Sequence, residues 1–323
     1  MDDTDRKLLI LRGQNARIHL QELARRLGIT RQAVYKRLQA LERAGVFKGV
    51  FAGVSVRYLD AVPIAICGWS STVSMDQTLD KLGESELTRR VLVAGGNYLY
   101  VIGFLRSLAE LDEYAEFVRR TAEMPDPLVG IYNLDDGLMA YSVDGSGRSK
   151  QTYRDLSPLD LRIIASLKDN ARKSIADIAG TIGASTKTVR RHLEKMVAEG
   201  SVDFDTPLDM ESAGDLLLVM HVNLKEGADK ILVGKRLLSK HMFPDQYIRT
   251  HSNIPGLLMW VFWSDKMSSI REAVKETGSD KDVRSVMLNF TYIERLYPTW
   301  RDKLLETTEG IPRHKDPTHH KAR

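Results

Sequence analysis

The 323-residue sequence holds one cysteine, Cys67. A single cysteine forms neither an internal disulfide nor a Cys-based zinc site, and it points to a reducing compartment. Long apolar runs are missing as well: the longest lies near Val62–Trp69, far short of the ~20 residues that cross a bilayer. The first residues lack the basic start, apolar middle and small-residue cleavage site of a secretory signal. A cytoplasmic protein with no membrane segment is therefore expected. Histidine is sparse, with none between His19 and His192. No Ser-His-Asp pattern, metal-spaced cluster or Walker loop stands out. On these grounds the chain is expected not to be an enzyme, and no catalytic residue, metal or cofactor is nominated.

What is present is basic charge, unevenly spread. The whole chain has 47 Lys and Arg against 43 Asp and Glu, a net charge of +4. Residues 1–50 alone carry eleven Lys and Arg against five acids. A basic N-terminal module on a near-neutral body fits nucleic-acid binding. The length suggests two to four domains, at ~100–200 residues each.

An internal repeat organises the chain. Shifting Asp5 onto Asp160 places Asn15-Ala16-Arg17 on Asn170-Ala171-Arg172, Ala24 on Ala179, Gly28 on Gly183, Val34 on Val189, Leu38 on Leu193 and Gly45 on Gly200. Apolar positions keep phase too: Leu8 with Ile163, Leu23 with Ile178, Leu27 with Ile182. Matched glycines and matched apolar phase together indicate a duplication. Between the copies, residues 142–157 are polar with Gly and Ser and read as a linker. Gly145-Ser146-Gly147 there lacks the strand-to-helix setting of a phosphate loop. Residues 307–323, with His314, His319 and His320, read as a disordered tail.

Each copy opens with helical periodicity. Leu8, Leu9 and Leu11 form one stripe, and Leu20, Leu23, Ala24 and Leu27 a second. Gly28 suits a helix end with positive φ, and Thr30 suits the N-cap of a third helix. That helix runs from about Arg31 to Ala44, with Val34, Leu38 and Leu41 buried. Residues 46–54 can form a wing, which completes the layout of a winged helix-turn-helix. The buried stripe turns Arg31, Gln32, Tyr35, Lys36 and Gln39 outward. Near the start of such a helix, side chains reach base edges in the major groove: Arg pairs with guanine and Gln with adenine, while Lys36, Arg25 and Arg26 suit phosphates. A solvated amphipathic helix would look similar, but this face has no acid between Glu22 and Glu42. In the second copy Ser185 caps, Val189, Leu193 and Met196 are buried, and Thr186, Lys187, Arg190 and Arg191 face out. His192 suits packing better than base reading. Residues 155–205 balance eight bases with eight acids, so this module binds DNA more weakly or serves as a protein contact.

The remainder of each copy reads strand–helix–strand–strand–helix–strand, the ferredoxin-like order. In the first copy the strands fall at Val62–Trp69, Leu87–Val93, Tyr98–Leu105 and Leu128–Asn133. In the second they fall at Leu216–Leu224, Gln246–Thr250, Leu257–Trp263 and Val283–Leu296. Such a sheet has one helix-covered face, and the other is expected to pack on a partner sheet. The fold class is thus α+β: two tandem copies of a winged helix-turn-helix plus a ferredoxin-like βαββαβ domain. The expected boundaries are 1–54, 55–141, the linker 142–157, then 158–207, 208–306 and the tail 307–323.

The chain resembles a tandem member of the Lrp/AsnC (feast/famine) regulators, over residues of about 3–140 and 156–306. The resemblance rests on Asp5, Leu8-Leu9, Asn15-Ala16-Arg17, Leu23-Ala24, Leu27-Gly28, Val34, Arg37-Leu38, Leu41-Glu42 and Gly45-Val46. Gly95-Gly96-Asn97-Tyr98 is similar to the family's turn between the second and third strands. The resemblance implies double-stranded DNA as partner and an amino acid or other small effector near Gly95, Gly96 and Asn97. A plain β-turn needs the same residue types. It also implies a homo-oligomer or, with two units in one chain, an internal pseudo-dimer. The second copy departs at His251-Ser252-Asn253-Ile254-Pro255-Gly256, a longer turn with proline. Siroheme decarboxylases resemble paired Lrp/AsnC domains as well. That alternative needs a tetrapyrrole cavity, for which Arg89, Arg90, Arg249 and His251 lie near suitable strands.

Overall fold

The computed structural model describes residues 1–14, 17–47, 49–134, 138, 155–205, 209, 212, 216–241, 243 and 246–306. The first three helices are α1 (Asp3–Gln14), α2 (Leu20–Leu27) and α3 (Arg31–Arg43). Gly28 ends α2 at φ 66°, and Thr30 Oγ1 accepts from the Ala33 N–H at 3.1 Å to start α3. Strand β1 (Phe51–Val54) follows. The ferredoxin-like elements of the first copy are β2 (Val62–Trp69), α4 (Met75–Glu84), β3 (Thr88–Ala94), β4 (Tyr98–Leu105), α5 (Leu111–Thr121) and β5 (Leu128–Ile131).

The second copy repeats the local chemistry. Its helices are α6 (Pro158–Leu167), α7 (Ile175–Ile182) and α8 (Thr186–Glu199), followed by β6 (Val202–Asp205). Ser157, Ser174 and Ser185 cap the three helices, and Gly183 ends α7 at φ 66°, matching its counterpart Gly28. Then come β7 (Leu216–Leu224), α9 (Lys230–Lys240), β8 (Tyr247–Thr250), β9 (Leu257–Ser264), α10 (Met267–Gly278) and β10 (Val283–Leu296). The chain turns back through α11 (Trp300–Lys303), whose Trp300 N–H and indole Nε1 donate to the carbonyls of Glu86 and Phe104. The last turn therefore rests on the first copy.

The two helical modules share one core. Leu8, Leu23, Val34 and Leu38 belong to the same buried cluster as Ile163, Ile178, Val189 and Leu193. The expected wing forms a strand whose partner comes from the other module. Among the described residues each module contributes one strand here, and β1 pairs antiparallel with β6, Val54 opposite Val202 and Phe51 opposite Asp205. A lone strand leaves its backbone donors and acceptors unmatched, and the other module's strand supplies the partners. Ala171 N–H also donates to Val50 O at 2.7 Å.

The ferredoxin-like halves do not stack face to face as expected. They join edge to edge in an eight-stranded antiparallel sheet ordered β5-β2-β4-β3-β10-β7-β9-β8. Strand β3 meets β10 at one junction. At the other, the sheet's outer edges meet through a Tyr132–His251 bridge, with Asn133 N–H donating to Thr250 O and Ser252 N–H to Ile131 O, both at 2.9 Å. The sheet thus closes into a barrel, which removes both open edges. Side chains alternate across it. Ala65, Cys67, Tyr98, Tyr100, Val219, Met259 and Val261 fill the interior. Ile64, Ile66, Leu99 and Val101 meet the helices of the first half outside, and Leu218, Met220, Trp260 and Phe262 those of the second.

Leu156 is buried and its N–H donates to Tyr58 Oη at 2.9 Å, so the end of the expected linker belongs to the core that the two helical modules share. Residues 142–154, including Gly145-Ser146-Gly147, and the tail 307–323 lie outside the described residues.

Candidate DNA-binding faces and an arginine-lined cavity

Helix α3 buries Val34, Leu38 and Leu41. Its opposite side exposes Arg31, Gln32, Tyr35, Lys36 and Gln39, as the spacing requires. Gln39 Nε2 donates to Tyr35 Oη at 2.8 Å, which orients the exposed phenol ring. Helix α8 exposes Thr186, Lys187, Arg190 and Arg191 in the same way. Arg31, Lys36, Lys187, Arg190 and Arg191 make no side-chain hydrogen bond or ion pair among the described residues.

Nearby cations are engaged elsewhere. Arg25 and Arg26 both bind Glu22 at 2.7 Å, and their hydrogen bonds hold that exposed carboxyl down at about 2. Arg37 bridges Asp2 and Asp5 at 2.7 and 2.8 Å. In the second copy the residues aligned with Asp5 and Arg37 are Asp160 and His192, and His192 Nδ1 lies 2.8 Å from the fully buried Asp160 Oδ1. The duplication thus preserves a side-chain contact that ties the third helix to the first. His192 packs, as its position suggested.

The Gly95-Gly96-Asn97 segment is a tight turn between β3 and β4. Gly96 has φ 69° and Asn97 φ 57°, a left-handed pair that suits Gly and Asn. Both glycines are exposed, and the turn does not line the cavity at the barrel mouth.

That cavity, about 460 Å³, opens where the barrel meets the wing strands. Arg89 and Arg90 from β3, Arg249 from β8 and Arg301 from α11 line it, with Tyr100, Tyr132 and Tyr247 from the barrel and Asp203 and Phe204 from β6. Arg90 pairs with Glu294 at 3.1 Å, and Arg89 donates to Tyr297 O at 3.1 Å. Arg301 donates to Val54 O at 2.9 Å and lies 3.7 Å from Asp203. Arg249 sits 5.0 Å from the Tyr247 ring centre and 5.8 Å from that of Tyr132. These guanidinium forks and aromatic faces suit a flat ligand with several carboxylates.

Behind the mouth, His221 Nε2 lies 2.9 Å from Tyr100 Oη, which accepts from Asn289 Nδ2 at 2.5 Å. His251 stacks on Tyr132 at 5.1 Å, fully buried, with both ring nitrogens unpartnered. Burial lowers His221 to about 4, and burial followed by the His221 and Lys230 charges lowers His251 to about 4. Both rings are neutral at pH 7, and a polyanion beside them would raise their proton affinity. Arg89, Arg90, Arg249 and His251 were legible as neighbours of the strands. Tyr100, Tyr132, His221, Asn289, Asp203 and Arg301 were not, because barrel closure and the returning C-terminal helix bring them together.

The described residues contain no group of three or more His, Cys, Asp or Glu placed to hold a metal, and no helix long and apolar enough to cross a membrane. A family model described as "Winged helix-turn-helix DNA-binding" matches residues 1–48 and 156–202, the start of each copy. The HTH-type transcriptional regulator LrpA of Pyrococcus horikoshii is 28% identical over 100 residues, covering 31% of this chain and 71% of the relative. The HTH-type transcriptional regulator Ptr1 of Methanocaldococcus jannaschii is 29% identical over 133 residues, covering 41% of this chain and 86% of the relative. These matches support a likeness to Lrp/AsnC-type transcriptional regulators. The whole architecture has a solved counterpart in the siroheme decarboxylase NirDL, with a TM-score of 0.59 at 14% identity, covering 94% of this chain and 97% of that one. A second structure of NirDL, in complex with an iron-uroporphyrin III analogue, matches with a TM-score of 0.56 and 12% identity, over 94% and 98% of the two chains. That likeness corrects one expectation. Sparse histidine argued for a non-enzyme, yet an enzyme shares this fold along almost its full length. Barrel closure explains the error, since a site can be assembled from single residues of both halves.

Proposed function

We propose that this Lrp/AsnC-like chain is a sequence-specific DNA-binding transcriptional regulator working in the cytoplasm, with α3 as the main reading helix and α8 as an accessory one. The observation that carries the reading is the set of uncommitted cations on the two outward faces. Arg31, Lys36, Lys187, Arg190 and Arg191 have no partner among the described residues, while the cations behind them are held by carboxylates. Arg31, Gln32, Tyr35 and Gln39 read base edges, and Lys36 binds phosphate. Thr186, Lys187, Arg190 and Arg191 add contacts from the second copy. Because the copies differ in sequence, the operator is asymmetric.

We place the effector at the barrel mouth in preference to the Gly95-Gly96-Asn97 turn, since the mouth has volume, charge and aromatic faces and touches the wing strand through Asp203 and Phe204. The internal pairing of the two halves stands in for the dimer of single-unit relatives. Selection of genomic fragments, including the gene's own upstream region, at two salt concentrations tests the regulator reading. A fragment retained at high salt supports it, and uniform retention that vanishes with salt overturns it.

The arginine-lined mouth favours a second reading, an enzyme acting on a carboxylated tetrapyrrole. Titration with siroheme under reducing conditions, followed by absorbance and by CO₂ release, tests it. Spectral change with CO₂ release supports catalysis, and binding without release leaves the ligand as an effector.

A further inference from the structure

The junction between the two helical modules gathers arginines that lie on neither exposed recognition face and do not line the barrel-mouth cavity. Arg17 and Arg172 are the equivalent residues of the two repeats. Arg17 donates from Nη1 to Ala171 O at 2.5 Å and from Nη2 to Lys173 O at 3.1 Å, so it is fixed against the backbone that carries Arg172. Arg12, from α1, is 96% buried by its 4% exposure and lies with its guanidinium 5.0 Å from the Phe47 ring centre. Arg12 Nε and Arg172 Nη1 are buried and find no acceptor among the described residues. Neither Arg12 nor Arg172 makes an ion pair among the described residues.

This arrangement is costly as it stands. A guanidinium cannot shed its charge at neutral pH, so a buried one needs an anion or a full set of acceptors. Burial, then the neighbouring Arg172 charge, lowers Arg12 to about 10, which still leaves it cationic at pH 7, and Glu42 offsets this only in part. Arg17 is lowered by the same two causes. The carbonyls of Ala171 and Lys173 are taken by Arg17, and Val50 O by Ala171 N–H.

We propose that the junction between the helical modules binds a tetrahedral oxyanion of the phosphate class, held by Arg12 from the first copy and Arg172 from the second beside the fixed Arg17. Donors arriving from two modules suit a tetrahedral oxyanion, whereas a planar carboxylate takes one fork in its own plane. The anion neutralises the junction and ties the two DNA-binding modules together. Its source is either free phosphate or a backbone phosphate of bound DNA.

The test uses the full chain without DNA, so it stands apart from the regulatory reading. Equilibrium dialysis against radiolabelled inorganic phosphate should retain about one phosphate per chain at saturation. At constant ionic strength, phosphate should raise the Tm over chloride by about 2–4 °C. Arg172→Gln and Arg12→Met should lose this rise, while Arg172→Lys keeps part of it. In chloride, Arg172→Gln should melt no lower than the parent, because it removes an uncompensated charge, and that melt shows the variant is folded. No retained phosphate in the parent overturns the proposal, as does an undiminished phosphate response in Arg172→Gln. Adding phosphate to a duplex-binding assay separates the sources: competition lost in Arg172→Gln identifies a backbone phosphate, and unchanged or tighter DNA binding identifies the free anion.

Discussion

Arg31 and Tyr35 stand on the exposed face of α3, with Tyr35 oriented by Gln39 at 2.8 Å. Replacing Arg31 by Ala should cost about 1–3 kcal/mol of discrimination at one base position. Lys36→Ala should instead weaken all sequences alike and reduce the salt slope by about 1. Competition binding with specific and scrambled duplexes separates these effects. Two histidines set a pH dependence. His221 and His251 fall from 6.5 to about 4 through burial, so as pH drops the unfolded chain takes up these protons first. Stability is complete above about 6.5 and is lost progressively toward 4. The Tm should therefore fall across that window, and less steeply in His221→Gln; a flat parent profile from pH 7 to 4.5 would contradict buried neutral rings. Asp160 is fully buried between the Ser157 cap and His192. Asp160→Ala removes both contacts and should cost about 1–3 kcal/mol in denaturant unfolding.

Among elements, the short junction of β5 with β8 is the sensitive one. A Cβ added at Gly130 would lie 2.3 Å from His251 Cδ2, whereas one at Gly53 meets nothing within 4 Å. Gly130→Ala should lower stability by about 1–3 kcal/mol through overpacking, with Gly53→Ala close to neutral; calorimetric melting of both variants checks this. The strands themselves were readable: Tyr98–Leu105, Leu216–Leu224 and Val283–Leu296 have the bounds that the apolar pattern gives. The caps at Thr30 and Ser185 and the turn at Gly28 were equally local. Pairing between copies was not. β1 and β6 carry no signal for one another, because a four-residue strand accepts any partner of matching direction. Barrel closure left one trace, in β9. All eight of its residues are buried, and such an unbroken run marks a strand covered on both faces. Arg301 reached the mouth through a helical return that no periodicity announces.

At the scale of the molecule, the paired wings and the shared core of the helical modules make one DNA-binding body above one barrel. The cavity lies between the two, lined by Asp203 from a wing strand and Arg249 from the barrel, so a ligand there touches both parts. A polyanionic ligand at the mouth should change DNA affinity, and Arg249→Ala should blunt that response without altering DNA binding in its absence; anisotropy titrations with and without ligand check this. Sequence-specific DNA recognition by α3 is what the regulator reading requires. Footprinting of the parent chain beside the Arg31→Ala, Tyr35→Ala double variant, on the best-retained genomic fragment at physiological salt, tests it most directly. A bounded, asymmetric footprint in the parent that is absent in the variant is the predicted result. The same protection pattern in both proteins, or none beyond uniform coverage, would contradict it.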